Sequence, residues 1–120
     1  MNGHVDEELR ALLPIQVGAT NDNETHELIA WIDTAFNGSL VIPESKVNEL
    51  RLVQESSAEA ILADGNKVQL ETFACRIKWF GKLYETQVVT NESEYALLGT
   101  ILLADHRLEI DYSAGTVSLS

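Results

Sequence analysis

The 120-residue chain predicts a mostly β architecture, and three observations carry that reading. Its apolar residues come in short runs separated by turn signals, and no long window keeps a helical spacing. Several runs alternate apolar and polar side chains with the period of two that a half-buried strand requires. Turn pairs, among them Asp64-Gly65 and Gly81-Lys82, fall between the runs and fold them back on one another.

Taken in order, residues 11–19 (ALLPIQVGA) read as a first strand in which Pro14 marks an edge or bend. A polar turn, 20–25 (TNDNET), leads to a second strand at 26–33 (HELIAWID). Beyond the Asn37-Gly38 turn, 39–43 (SLVIP) is a third strand stopped by Pro43, and 44–52 (ESKVNELRL) is a short helical turn or a loop. Residues 58–63 (AEAILA) and 67–80 form a hairpin about Asp64-Gly65-Asn66, because Asp-Gly supplies the positive φ of a tight turn.

The long run of that hairpin changes parity: Val68 and Leu70 share one face, whereas Phe73, Cys75, Ile77 and Trp79 share the other. A strand cannot exchange its buried face without an irregularity, so a bulge or sharp twist is expected near 71–73. A further strand at 83–89 (LYETQVV) and a polar loop at 90–94 follow. Residues 100–106 (TILLADH) are the best helix candidate, with Thr100 as N-cap, and 107–112 (RLEIDY) and 116–120 (TVSLS) close the chain as strands. Residues 1–10, acidic and polar, read as a flexible segment before a single domain at 11–120, with no internal repeat.

Eight Lys and Arg against 19 Asp and Glu leave a net charge of −11, which repels nucleic-acid backbones and anionic membranes and argues against both as partners. Cys75 is the only cysteine, which excludes an internal disulfide and suits a reducing compartment, the cytoplasm by default. Its apolar alternate neighbours Phe73 and Ile77 mark it as a buried structural thiol. His4, His26 and His106 lie too far apart for metal-ligand spacing, so neither metal nor cofactor is expected. The start of the chain lacks the basic and apolar pattern of a signal peptide, and no run reaches membrane-spanning length.

Two small features stand out: Trp31-Ile32-Asp33-Thr34-Ala35, in which an apolar run ends on a carboxylate, and Leu97-Leu98-Gly99 before the candidate helix. Asp33 and Thr34 can simply cap a turn by accepting backbone amides. Their order relative to the intervening hairpin resembles the retropepsin-like aspartic proteases, small bacterial members in particular, from about Leu28 to Leu119.

That resemblance implies a closed β-barrel with one short C-terminal helix, acting as a homodimeric aspartic endopeptidase on peptide or protein substrates. It implies that Asp33 is the catalytic acid and that Thr34 braces the paired loops across the dimer axis. Leu97, Leu98 and Gly99 would support the active site, and a flap at about 60–70, with Ala63, Asp64, Gly65 and Asn66 near its tip, would bind substrate. Ala35 stands where the family pattern has Gly, and the flap tip is polar where viral relatives have Gly-rich flaps. A noncatalytic dimerisation or peptide-binding module on the same fold is the alternative, and an unrelated small β-barrel or sandwich is a third.

Overall fold

A computed structural model describes residues 1–61 and 63–120; Leu62, within the expected flap, lies outside the described residues. The strands are β1 (Asn2–Val5), β2 (Ala11–Gly18), β3 (His26–Ile32), β4 (Leu40–Pro43), β5 (Val53–Ile61), β6 (Lys67–Trp79), β7 (Lys82–Asn91), β8 (Ala96–Leu98), β9 (Leu108–Asp111) and β10 (Thr116–Leu119). Two short helices join them, α1 (Glu44–Glu49) and α2 (Thr100–Leu103).

The strands hydrogen-bond in the order β5-β6-β7-β4-β8-β3-β2-β1-β10-β9, and a further β6–β2 pairing closes β2, β3, β8, β4, β7 and β6 into a barrel. Closure removes the open edges from those strands. Pairing is antiparallel except for β3 with β8 and β4 with β7. The strand β8 therefore lies between β3 and β4, although more than fifty residues separate it from either in sequence.

β2 is shared between two partners on one side. Ala11 and Leu12 pair with β1, Gln16 to Gly18 pair with β6, and Pro14 falls in the interval between them. A residue without an N–H is tolerated where the ladder changes partner. The side chains of Leu13, Ile15 and Val17 point inward to meet Leu28, Ala30 and Ile32 of β3, Leu40 and Ile42 of β4, and Leu98 of β8. Burial of one such aliphatic side chain contributes about 1.5–3 kcal/mol, so this interior is the main source of stability.

The parity change in β6 is real. Its exposed and half-buried alternation from Lys67 to Glu71 gives way to consecutive buried Thr72 and Phe73, after which Cys75, Ile77 and Trp79 are buried. The β5 register shifts between Gln54 and Ser56, opposite Phe73 and Thr72, so the extra residue is Glu55 on the partner strand. Burial pushes the Cys75 thiol up to about 11, against a hydrogen bond from the Gly18 amide, so the thiol stays protonated at neutral pH.

Two elements differ from the sequence reading, and at a third the structure selects the helical alternative. Residues 1–10, read as a flexible segment, contain β1, which pairs with β10 and β2 and brings Gly3 close against the Leu12 carbonyl. Their polar composition hides this because the longer of the two β1 pairings, from Asn2 to His4, is made with β10 at the far end of the sequence. Residues 44–49 are helical, starting from Pro43 at the N-cap. The C-terminal helix is four residues long, with Gly99 rather than Thr100 at its N-cap. It stops because Ala104 turns extended and Asp105 takes a left-handed φ of 67°.

Two carboxylates brace the sheet extension outside the barrel. Hydrogen bonds from the Ala114 amide and the Ser113 hydroxyl outweigh burial and hold Asp111 below the ordinary carboxylate range. At Asp6 burial pushes upward, but the Arg10 amide and side chain and the Glu8 amide together bring its pKa below that range. A depressed carboxylate pKa contributes stability that is complete above the unfolded value, about 4, and is lost as pH falls through the folded value. Thermal unfolding followed from pH 6 to pH 2 is expected to show a shallower acid decline for Asp111→Asn than for the wild type.

Candidate active site

The loop after β3 is built from backbone hydrogen bonds to a distant segment. The Asp33 amide donates to the Leu98 carbonyl at 2.9 Å, and Phe36 N–H closes a turn onto the Asp33 carbonyl at 3.2 Å. In return Gly99, Thr100 and Ile101 donate to the carbonyls of Ser39, Phe36 and Gly38 at 2.9, 2.9 and 3.1 Å. The first amides of a helix have no partner within it, so α2 satisfies them on this loop. The hydrogen-bonded turn thus spans Asp33 to Phe36, not Asn37-Gly38 as expected, and the chain bends at Gly38-Ser39 against α2.

Gly99 makes that approach possible. A Cβ there would collide with the Gly38 carbonyl oxygen and come within 2.6 Å of the Phe36 ring. The same ring lies over Gly38. Phe36 therefore fills the gap that the two glycines leave, a role the sequence reading missed. The signal available was a lone aromatic two residues before a glycine in an otherwise polar loop.

Asp33, Thr34 and Ala35 line a groove of about 350 Å³ together with Trp31, Ile32 and Leu97. Asp33 Oδ1 accepts the Ala35 amide at 3.0 Å, so the side chain caps its own turn. Ala35 is exposed and is not among the left-handed residues, so its methyl is carried without backbone strain. Leu98 is fully buried and Gly99 is buried, and they reach this loop through backbone contacts.

A second hollow of about 460 Å³ lies between the loop, the barrel and the β5–β6 hairpin, walled by Phe36, Leu40, Leu70, Val89 and Ile101. At its base Ser39 Oγ lies 3.0 Å from Thr86 Oγ1 and donates to the Gln87 carbonyl at 3.1 Å. The hairpin turn carries Ala63, Asp64, Gly65 and Asn66. There Asp64 Oδ1 accepts the Asn66 amide at 2.9 Å, Asp64 Oδ2 accepts the Asn66 side-chain amide at 2.8 Å, and Gly65 has a φ of 86°. None of these four residues lines either hollow. The structure thus brings Asp33, Thr34, Ala35 and Leu97 together and leaves the hairpin tip apart.

Among the described residues no group of three or more His, Cys, Asp or Glu side chains is placed to hold a metal ion, and no helix is long and apolar enough to cross a membrane.

No family model and no curated protein matches the chain. Solved structures do. A retropepsin-like aspartic protease from Rickettsia conorii superimposes with a TM-score of 0.62 at 12% identity, covering 99% of this chain and 88% of that one. An EIAV protease in complex with an inhibitor gives 0.56 at 21% identity, covering 83% and 90%. The Simian Foamy Virus (mac) protease gives 0.53 at 16% identity, covering 76% and 91%. With the closed six-stranded barrel, the interposed β8 and the helix packed on the loop after β3, these matches establish that the chain has the retropepsin-like fold.

Proposed function

We propose that the protein is a homodimeric aspartic-type endopeptidase of a reducing compartment such as the cytoplasm, in which Asp33 of each copy supplies one of two catalytic carboxylates. The observation that carries the reading is a single carboxylate, Asp33, in a groove lined otherwise by Trp31, Ile32, Thr34, Ala35 and Leu97. The backbone bonds to Leu98 and α2 hold it there.

Amide hydrolysis by this route needs two carboxylates about one water molecule. The ionised one removes a proton from the attacking water while the protonated one polarises the scissile carbonyl. Two carboxyl groups about 3 Å apart cannot both ionise, so the pair shares one proton. Each chain has one, and a two-fold axis supplies the other. Thr34, exposed beside Asp33, braces the two loops across that axis.

β9 offers a seam for the second copy. Among the described residues it pairs on one side only, with β10, and leaves its other backbone edge open. Substrate binds as an extended strand, its backbone bonded beneath the flap of each copy and its side chains seated in the apolar hollows beside Asp33 and beneath Leu70. Ala63, Asp64, Gly65 and Asn66 close over it. The 11–120 segment acts as one domain, and no cofactor takes part.

Two outcomes are expected. Asp33→Asn removes the proton acceptor and lowers peptide cleavage by about 10²–10⁴-fold or more, leaving peptide binding nearly intact. A peptide library incubated from mild acid to neutral pH, with a statine-type inhibitor as control, reads this out. Cleavage that survives the substitution overturns the reading, and binding without cleavage in the wild type favours the noncatalytic module. Because each protomer carries a charge of −11, the dimer is expected to strengthen as salt rises and screens that repulsion. Sedimentation velocity at low and high salt tests this, and dissociation at high salt contradicts it.

A further inference from the structure

Trp31 faces away from the barrel interior. Its neighbours Ala30 and Ile32 are buried, whereas Trp31 is 41% exposed and forms one wall of the groove that holds Asp33. An aromatic on the outer face of a strand has no core to hold it, so whatever touches it there decides where it stands.

Arg10, just before β2, supplies that contact. Its guanidinium carbon lies 4.7 Å from the ring centre of Tyr95 and 5.7 Å from that of Trp31, within cation–π reach of both. The guanidinium is itself fixed: Asp6 Oδ2 accepts Arg10 Nε at 2.7 Å, and Asp6 Oδ1 accepts the backbone amides of Arg10 and Glu8 at 2.9 and 3.1 Å. Two more backbone bonds close the 6–10 loop, Asp6 N–H to the Arg10 carbonyl and Leu9 N–H to the Asp6 carbonyl, both 3.0 Å. The Arg10 and Asp6 side chains are 21% and 16% exposed, so the pair is shielded from water more than an ordinary surface ion pair.

We propose that Arg10 is a positioning residue of the groove, which Asp6 locks over Tyr95 and Trp31 so that the indole stands as a fixed wall beside Asp33. The consequence for substrate rests on the endopeptidase reading. A side chain seated against a preset indole does not have to order it on binding, whereas a free indole must be immobilised at the expense of affinity. The bound geometry at Asp33 is the same in both cases, so the effect falls on KM rather than kcat.

The test uses the full chain with Arg10→Ala, Arg10→Lys and Asp6→Asn, and reads acrylamide quenching of tryptophan fluorescence beside peptide cleavage. Trp79 is only 6% exposed, so the quenchable emission comes from Trp31. Arg10→Ala is expected to raise the quenching constant about twofold and KM about tenfold while kcat stays within about twofold. Asp6→Asn is expected to move both readouts in the same direction by less. Arg10→Lys, which keeps a cation over the rings, restores most of the change. Unchanged quenching in Arg10→Ala overturns the proposal, as does a kcat that falls with an unchanged KM. Should Arg10→Ala unfold, an Asp6→Asn chain that is folded but quenches like the wild type overturns it equally. A wild type that cleaves no peptide defeats the endopeptidase reading, and the quenching comparison then decides the role of Arg10 alone.

Discussion

The structure depends on the exchange of backbone hydrogen bonds between the loop after β3 and the segment that runs from β8 into α2. Four bonds cross between them, from Asp33 to Leu98 and from Gly99, Thr100 and Ile101 to the carbonyls of Ser39, Phe36 and Gly38. Left unpaired in a buried position, these amides and carbonyls each cost about 1–3 kcal/mol. The requirement to satisfy them draws β8 between β3 and β4 and places Asp33 at the edge of a groove rather than in a free turn. It also explains why no side chain is tolerated at residue 99, where the Gly38 carbonyl and the Phe36 ring occupy the space.

The barrel supplies the rigid frame for that loop. β2 exchanges β1 for β6 along one edge, and β6 turns its buried face over opposite the Glu55 bulge, so its first half leaves the barrel as a hairpin while its second half belongs to the wall. A single long strand thereby connects the polar tip at Asp64 and Asn66 to the interior at Cys75, Ile77 and Trp79. The frame and the proposed flap share a backbone but differ in burial, and the better-packed half anchors the half that would open.

Charge and packing divide the work at the groove. The acidic surface opposes association of two copies, whereas the proposed chemistry requires it, so under that proposal a second copy would be held by backbone pairing and by the loop at Thr34 rather than by attraction of net charge. A rare cation is used locally: Arg10 meets Asp6 and two aromatic rings on the outside of the barrel, where the exposed Trp31 wall of the groove has no core behind it.

The features at Asp33 and Gly99 were singled out through a family resemblance, whereas strand periodicity, the Asp64-Gly65 hairpin, the parity change before Phe73 and the buried thiol of Cys75 were legible in the amino-acid order itself. Each is a local property, set by side-chain alternation or by the φ that a turn demands, and a window of a few residues contains it. The pairing of β1 with β10, the position of β8 between β3 and β4, the packing of half-buried Phe36 against Gly99 and the stack of Arg10 on Trp31 and Tyr95 were decided only by the tertiary structure. Their partners lie tens of residues away, and backbone hydrogen bonds and ring contacts at that range leave no period in the chain from which to read them.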